Sequence, residues 1–525
     1  MTRLRWAAAA VGLLVLVPAA PAFGAAAHAS SARRAAPLVH TDKGWIRGTR
    51  GNGVDAFRGI PYAAPPVGAL RWRPPKPHKS WRGVRAATQY GARCAALAST
   101  NGPRTNAENC LFVNVWRPTG VTAGRKLPVY VFIHGGGLVN GSSNQAGGAQ
   151  FARRTGAVVV SLNYRLGVFG FLGLPGLSAR GFGNYGFLDQ QAALRWVHRN
   201  IRAFGGDPRE VTLGGESAGA FSVCAHLTSR GSRGLFARAM MQSGSCFSRT
   251  RAQTRANSSD FATAAGCTSD VVACLRGMSA AALLDASTKF SPTLTSGTAA
   301  LPLPTATAAA RGKFARVPIV NGSNRDEGRT FAQGFIGNTQ AQYVAWVNTT
   351  FGANAAKVLA HYPWPANATK FTPAYLIGAI FTDSGMLAGI GGCGALKTDR
   401  VFARYVPTYA YEFDARHGPG LTPIPGYVWG AGHAAELAYL FPSFDNGTPI
   451  APTFNAGERE LSRNMTQYWG GFVFTGRPHA NGLPNWPRFN TTHKFMSLRP
   501  AGRSRTISLH TFRTEHQCGF WNSLG

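Results

Sequence analysis

Acidic residues are scarce in this chain of 525 residues, which has 21 Asp and Glu against 55 Lys and Arg. The formal net charge of +34 would favour polyanions such as nucleic acids, because binding releases counterions from their phosphates. The arginines are nevertheless scattered along the whole chain, without a basic block or a zinc-finger, RNP or basic-zipper pattern. We therefore expect a generally basic surface and no specific nucleic-acid binding.

Metal-binding signatures are also missing. The chain has no Cys-x-x-Cys and no His-Glu-x-x-His, so no ligand set for a metal ion is indicated. Residues 389–394 match the dinucleotide pattern G-x-G-x-x-G, but a lone match of this kind is weak evidence. The sequence thus predicts neither a metal ion nor a cofactor.

Long apolar runs are confined to the N-terminus. Two arginines precede an apolar run from Trp6 to about Pro18, and small residues follow. This pattern is typical of a secretory signal peptide, because the run is too short to cross a hydrocarbon core of ~30 Å. We predict a signal peptide over residues 1–29, cleaved somewhere in 22–30, and a secreted protein without membrane insertion over residues 30–525.

Eight cysteines in an exported chain indicate disulfides, since oxidising compartments keep thiols paired. They are Cys94, Cys110, Cys224, Cys246, Cys267, Cys274, Cys393 and Cys518. The first two would close one short loop, and the fifth and sixth would close another. Cys224 and Cys246 could equally be buried thiols.

Hydrophobic runs alternate with helical stretches through the middle of the chain, which is typical of an α/β architecture with a mostly parallel sheet. Strands are predicted over residues 127–133, 157–163, 211–215, 317–321 and 407–413, and a helix is predicted over 186–204. A Gly-Gly-Asp-Pro turn at 205–208 ends the helix. In such folds functional residues lie beyond the carboxyl ends of the strands, and we expect one large domain.

Gly215-Glu-Ser-Ala-Gly219 fits the G-x-S-x-G pattern of a nucleophile elbow. It lies between the strand predicted at 211–215 and an apolar stretch that begins at Ala220. A sharp strand-to-helix turn would expose the hydroxyl of Ser217, and flanking glycines would prevent clashes. Ser217 is therefore the candidate nucleophile.

His134-Gly-Gly-Gly137 follows the strand predicted at 127–133, which is where this kind of fold places its other oxyanion donors. Without Cβ atoms, successive amides can approach a substrate closely. We predict the N–H groups of Gly136, Gly137 and Ala218 as the oxyanion hole. The alternative is a flexible turn.

A serine hydroxyl needs an imidazole to take its proton, and the imidazole needs a carboxylate to orient it. Asp326 and Glu327 follow the strand predicted at 317–321, and His433 follows the strand predicted at 407–413. The order serine, acid, histidine is that of α/β-hydrolases. Spacing alone does not choose between the two adjacent acids.

Several motifs in a fixed order resemble those of the type-B carboxylesterase family, which includes cholinesterases, bacterial esterases and fungal lipases. They are Phe57-Arg-Gly-Ile-Pro-Tyr-Ala63, Pro65-Pro-Val-Gly68, Leu70-Arg-Trp72, Glu108-Asn-Cys-Leu-Phe-Val-Asn114, Gly183-Asn-Tyr-Gly-Phe-Leu-Asp-Gln190, Phe204-Gly-Gly-Asp-Pro208, the elbow and Gln242-Ser-Gly-Ser245. The resemblance extends over residues 37 to 522 and implies an α/β-hydrolase fold, with helices on both faces of a large sheet.

The resemblance also implies roles for particular residues. It makes Ser217 the nucleophile, Glu327 the acid and His433 the base, and it makes Glu216 a buried carboxylate beside them. The family's disulfides map onto three pairs, 94 with 110, 267 with 274 and 393 with 518. Cys224 and Cys246 have no counterpart. The segment 95–109 contains neither Trp nor Asp, so the site with which cholinesterases hold a quaternary ammonium is missing.

These observations together predict a secreted serine hydrolase that cleaves carboxylic esters of small molecules through an acyl-enzyme. One alternative is a lipase that acts at lipid interfaces, although residues 95–109 are too polar for a hydrophobic lid. Another is a non-catalytic binding protein of the same family, which an intact set of catalytic residues disfavours. The sequence leaves the oligomeric state open.

Overall fold

The computed structural model describes residues 36–422, 424–444 and 449–524. The predicted signal peptide, residues 1–29, lies outside the described residues. The strands are β1 (Leu38–Thr41), β2 (Gly44–Arg47), β3 (Thr49–Gly51), β4 (Val54–Pro61), β5 (Val84–Ala86), β6 (Phe112–Pro118), β7 (Leu127–Ile133), β8 (Val158–Leu162), β9 (Gly206–Glu216), β10 (Arg238–Gln242), β11 (Ile319–Asn324), β12 (Thr408–Phe413), β13 (Lys494–Leu498) and β14 (Arg505–Ser508).

The α-helices lie between these strands along the chain. They are α1 (Ala149–Thr155), α2 (Gly167–Phe171), α3 (Tyr185–Asn200), α4 (Ala218–Thr228), α5 (Arg251–Ala264), α6 (Val271–Gly277), α7 (Ala280–Ala286), α8 (Thr305–Ala310), α9 (Gly328–Phe331), α10 (Gln340–Phe351), α11 (Ala355–His361), α12 (Thr372–Ser384), α13 (Gly392–Ala403), α14 (Leu437–Leu440), α15 (Ala456–Thr475), α16 (Phe489–Thr492), α17 (Leu509–Glu515) and α18 (Cys518–Ser523). Short 3₁₀ helices occupy Gly68–Leu70, Ile201–Phe204, Arg230–Ser232, Gln333–Phe335, Gly352–Asn354 and Ala451–Thr453.

Eleven of the described strands form one sheet in the order β14-β13-β12-β11-β10-β9-β7-β8-β6-β4-β3. The central strands from β13 to β8 are parallel, and the strands at both edges are antiparallel. A smaller sheet has the order β1-β2-β5. The prediction of a large, mostly parallel sheet is confirmed.

Both faces of the large sheet are covered. Along β7, Val129, Val131 and Ile133 belong to one buried cluster, whereas Tyr130 and Phe132 belong to another. Alternate side chains of a strand point to opposite faces, so the two clusters lie on opposite sides of the sheet. All five residues of β8 are buried, as expected for a central strand of a sheet that is covered on both faces.

The predicted elements are confirmed, with shifts of up to three residues at most of the boundaries. The largest difference is in β9, which begins at Gly206, five residues before its predicted start, inside the turn predicted to end the preceding helix. Gly206 pairs with Leu127, and the register then shifts before Val129 pairs with Val211. This irregularity lets the Asp-Pro segment join the strand, because a bulge accommodates residues that a regular ladder would not.

Four disulfides join all eight cysteines. Three are the pairs that the family resemblance implied, and the fourth joins Cys224 to Cys246. The alternative of two buried thiols at these positions is therefore wrong. The fourth disulfide links α4 to the segment that follows β10, and α4 packs against β10 itself. Four disulfides indicate folding in an oxidising setting.

No helix within the described ranges has both the length and the apolar composition needed to cross a membrane.

The disulfide between Cys224 and Cys246 should stabilise the fold more than the one between Cys267 and Cys274. It spans 22 residues against 7, and closing a longer loop removes more entropy from the unfolded chain. We expect the double variant Cys224→Ala/Cys246→Ala to lose about 3 kcal/mol of unfolding free energy, and the matched double variant at 267 and 274 about 2 kcal/mol. Urea denaturation without reductant measures both losses. Thiol labelling of the denatured wild-type protein at Cys224 or Cys246 would contradict the pairing.

Candidate active site

Ser217 lies at a sharp turn between β9 and α4. Its backbone has φ of 55° and ψ of −123°, a conformation that non-glycine residues rarely adopt. The neighbouring glycines make the turn possible. A Cβ on Gly215 would lie 2.6 Å from the carbonyl carbon of Gly219, and a Cβ on Gly219 would overlap the carbonyl oxygen of Ile133 in β7. The turn therefore has the geometry that the G-x-S-x-G pattern predicts.

His433 and Glu327 form a direct hydrogen bond. His433 Nδ1 lies 2.6 Å from Glu327 Oε2, and the other carboxylate oxygen of Glu327 accepts the N–H of Asn324 at 2.7 Å. Both side chains are buried, and Glu327 is 1% exposed. Since Nδ1 is engaged by the carboxylate, the ring orientation is set and Nε2 is left for another partner.

Asp326, the other acid that spacing allowed, points to different partners. Its carboxylate accepts two hydrogen bonds of 3.1 Å from Arg416 and one of 3.0 Å from the N–H of Ala431. Burial would raise the pKa of Asp326, but the charges of Arg329 and Arg416 outweigh it and lower the pKa. Asp326 thus organises the loop, and Glu327 is the acid that contacts His433.

The Nε2 atom of His433 faces the elbow. It lies 3.2 Å from Glu216 Oε1, the carboxylate of the residue immediately before Ser217. Across the described residues, neither the Ser217 hydroxyl nor Glu216 Oε1 forms a hydrogen bond with Nε2. Hydrogen bonds of this kind are often long in the free enzyme and tighten when substrate binds.

Three buried glutamates surround the imidazole, and they control its protonation. Burial would lower the pKa of His433, but the charges of Glu216, Glu327 and Glu436 outweigh it and raise the pKa to about 9. Burial in turn raises the pKa of Glu216 to about 8. The imidazole therefore holds its proton more strongly than a free histidine does.

Glu436 belongs to the site but has no role among the residues predicted from the sequence. Its carboxylate accepts hydrogen bonds from Asn324 at 2.7 Å and from Gln242 at 3.0 Å. It is fully buried, and burial raises its pKa. The available signal was its position three residues after His433, which places it in the same turn of the chain.

The glycine loop after β7 packs directly against the elbow. A Cβ on Gly135 would lie 2.6 Å from Glu216 Oε2 and 2.9 Å from Ser217 Cβ. The φ angles of Gly136 and Gly137 are 94° and 62°, which favour glycine.

The backbone N–H groups of the three predicted oxyanion donors have no hydrogen-bond acceptor within the described residues. Those of Gly136 and Gly137 meet no acceptor among the described residues. Ala218 is the first residue of α4, so its N–H has no partner within the helix. The three predicted oxyanion donors therefore lie in segments that meet at Ser217 and have unused hydrogen-bonding capacity.

Two apolar side chains adjoin these polar groups. The ring of Phe331 lies 4.8 Å from the imidazole of His433, centroid to centroid, and is 40% exposed. Leu138, which follows the glycine loop, has φ of 62° and is buried. The imidazole is thus covered by one ring that also faces solvent.

Among the described residues, no group of three or more His, Cys, Asp or Glu side chains is placed to hold a metal ion.

Comparison with known proteins supports an esterase. The profile of the carboxylesterase family matches residues 35–521. A para-nitrobenzyl esterase of Bacillus subtilis (strain 168) is 34% identical over 475 residues, which cover 86% of this chain and 92% of that protein. A fumonisin B1 esterase of Sphingopyxis macrogoltabida is 33% identical, covering 87% and 86%. A cocaine esterase of Homo sapiens is 33% identical, covering 99% and 95%.

Solved structures give the same result. A PNB esterase superposes with a TM-score of 0.76 and 30% identity, covering 92% of this chain and 100% of that one. A thermophilic PNB esterase gives a TM-score of 0.78 with the same identity and coverage. The predicted α/β-hydrolase fold is confirmed, and the alternative of a non-catalytic binding protein is set aside. The chain belongs to the carboxylesterase family and is an enzyme that hydrolyses carboxylic ester bonds.

Proposed function

We propose that this carboxylesterase is a secreted serine hydrolase in which Ser217, His433 and Glu327 form a catalytic triad. The observation that carries the proposal is the 2.6 Å hydrogen bond between His433 Nδ1 and Glu327. The other ring nitrogen, Nε2, lies 3.2 Å from Glu216 in the elbow. The nucleophile, the base and the orienting acid thus come from three separate loops at one edge of the sheet.

The reaction proceeds by acyl transfer. Ser217 Oγ attacks the ester carbonyl carbon while His433 Nε2 takes the hydroxyl proton. The tetrahedral oxyanion accepts hydrogen bonds from the N–H groups of Gly136, Gly137 and Ala218. Collapse of this intermediate breaks the ester C–O bond, and His433 gives its proton to the leaving alcohol. Water then attacks the acyl-enzyme by the same route and releases the carboxylic acid.

We propose esters of small molecules in solution as the substrates, rather than lipids at an interface. The side chains that are exposed between Cys94 and Cys110 are small or polar, namely Ala98, Thr100, Pro103, Arg104, Asn106 and Asn109. A lid that binds an oil surface needs a continuous apolar face. A sharp rise of activity on substrate emulsions would favour the lipase alternative instead.

Secretion through removal of a signal peptide within residues 1–29 is part of the same proposal. It is supported by the four disulfides, which require an oxidising compartment. N-terminal sequencing of protein collected from the culture medium tests it, and a mature protein that begins before position 22 would contradict the predicted cleavage.

The variant Ser217→Ala should lose at least ~10⁴-fold in kcat, because the acyl-enzyme can no longer form. Stopped-flow kinetics with a chromophoric aryl ester should show a burst of alcohol with the wild-type protein and none with the variant. Ser259→Ala on the exposed face of α5 is the matched control and should keep the burst. A burst that persists in Ser217→Ala would rule out this nucleophile.

The variant Gly136→Ala should lose about 10²–10³-fold in kcat with little change in KM, because one oxyanion donor is displaced. A Cβ at this position would lie 2.5 Å from the carbonyl oxygen of Asn140, so the peptide must move. Gly51→Ala is the control, since a Cβ there meets nothing within 4 Å. Steady-state kinetics separates the two parameters. A rise in KM at constant kcat would mean that the loop shapes substrate binding only.

The pH dependence should report the charge around His433. Only the neutral imidazole can act as base, and its pKa is raised to about 9, so wild-type kcat/KM should rise from neutral to alkaline pH. Glu216→Gln removes a negative charge 3.2 Å from Nε2, which lowers the pKa of His433 and moves this acid limb to lower pH.

The control for this prediction is Glu210→Gln, which changes the net charge equally but affects a carboxylate paired with Arg238. Its pH–rate profile should match that of the wild-type protein. An acid limb that stays in place or moves to higher pH in Glu216→Gln would contradict the assignment of His433 as the base.

A further inference from the structure

A second buried histidine with two carboxylate partners lies outside the active site. His516, between α17 and α18, is 1% exposed. Its Nε2 lies 2.7 Å from Glu412 Oε1 in β12, and its Nδ1 lies 3.1 Å from Asp383 Oδ1 in α12. Since both ring nitrogens face carboxylate oxygens, both must donate, and the ring is an imidazolium.

The groups around His516 favour its charge. Burial would lower its pKa, but the hydrogen bonds to Asp383 and Glu412 outweigh burial and raise the pKa to about 9. Within the described part of the chain, two other charged or titratable groups contact these carboxylates. Arg325 pairs with Glu412 and also with Glu515, and the hydroxyl of Tyr362 donates to Asp383 at 2.9 Å. We call His516, Asp383, Glu412 and Arg325 the His516 cluster.

The first partner of His516 leads to residues 325–327, the loop between β11 and α9 that carries Glu327, which we call the acid loop. Glu412 also pairs with Arg325, at 3.5 Å, and Arg325 is two residues before Glu327. The backbone N–H of Arg325 donates to the carbonyl of Phe413, the residue after Glu412, at 2.9 Å. The start of the loop is therefore fixed to β12 by a backbone bond and by an ion pair that His516 supports.

The second partner leads to the other side of the same loop. Asp383 follows Thr382, whose hydroxyl oxygen accepts the N–H of Gly328 at 2.9 Å. Gly328 is the residue after Glu327, and α12 packs so closely on it that a Cβ would overlap the carbonyl oxygen of Gly378. The end of the loop is therefore held by α12. The C-terminal end of α12 is in turn held by the contact between Asp383 and His516.

We propose that His516 is a positioning residue for Glu327, acting through Glu412 and Arg325 on one side of the acid loop and through Asp383 and Thr382 on the other. The proposal rests on the proposed catalytic role of Glu327. His516 does not touch the substrate. Its charge keeps two buried carboxylates together, and these hold the two ends of the loop that aims Glu327 at His433.

The physical reason is the charge balance of the cluster. Asp383 and Glu412 are 7% and 0% exposed, so without the imidazolium they would be two buried negative charges with one arginine beside them. Such carboxylates repel each other or take up protons, and either outcome weakens their hydrogen bonds. A shift of Glu327 by even a fraction of an ångström would lengthen its bond to His433 and slow proton transfer.

The test compares His516→Gln with His361→Gln. His361 also contacts the C-terminal segment, through Gln517 and a stacked Phe520, but it is exposed and does not contact the cluster. We expect His516→Gln to lower kcat about tenfold with KM nearly unchanged. Because a displaced Glu327 raises the pKa of His433 less, the acid limb of kcat/KM should also move to lower pH. His361→Gln should match the wild-type protein in all three respects.

Asp383→Asn is the second variant, because it leaves the contact between His516 and Glu412 in place and should fold where His516→Gln does not. It should show a smaller loss of kcat with the same direction of the pH shift. Wild-type kcat and an unmoved acid limb in either folded variant, with only thermal stability lowered, would overturn the proposal and leave the cluster a purely structural role. Glu327→Gln is measured in parallel to test the triad separately. It should be nearly inactive if Glu327 is the catalytic acid, whether or not His516 positions it.

Discussion

The parallel register at the centre of the sheet is the constraint on which the rest of the structure depends. Ile133 of β7 pairs with Gly215 of β9, and Asn324 of β11 pairs with Phe413 of β12. The carboxyl ends of these strands therefore lie along one edge, where the glycine loop, the elbow and the acid loop begin. Glu216 and His433, which are 217 positions apart in the chain, lie 3.2 Å from each other at this edge.

The scarcity of acidic residues has a structural counterpart in where the acids are placed. Glu216, Glu327, Glu412 and Glu436 are all buried. Most exposed or half-exposed acids are in ion pairs with arginines, as Asp285 is with Arg104. About half of the acidic residues in the described ranges are buried, and many surface arginines in those ranges form no ion pair with an acidic residue. This explains how a chain with a strongly basic surface can also contain a cluster of acidic side chains around His433.

Much of the fold and the local parts of the site could be predicted from sequence, because they depend on neighbours along the chain. β7, α3 and the elbow follow from short patterns of apolar residues and glycine. The choice between Asp326 and Glu327 does not follow from spacing, because it is decided by Arg416, 90 residues further on. The pairing of Cys224 with Cys246 likewise depends on how α4 packs beside β10. Glu436 and His516 carry no motif, and only the folded chain shows their partners.

The two buried histidines show how the same residue type acquires different tasks. Each ring nitrogen of His516 lies within hydrogen-bonding distance of a carboxylate. Neither nitrogen is therefore available for proton transfer, and the ring serves as a fixed cation. His433 has one such bond, to Glu327, while its Nε2 is near Glu216 without a hydrogen bond to it. An imidazole that a carboxylate orients through one nitrogen, and whose other nitrogen forms no hydrogen bond, can lose a proton at that nitrogen and take one up again. This difference at Nε2, and not the burial that both rings share, supports the proposed role of His433 as the base.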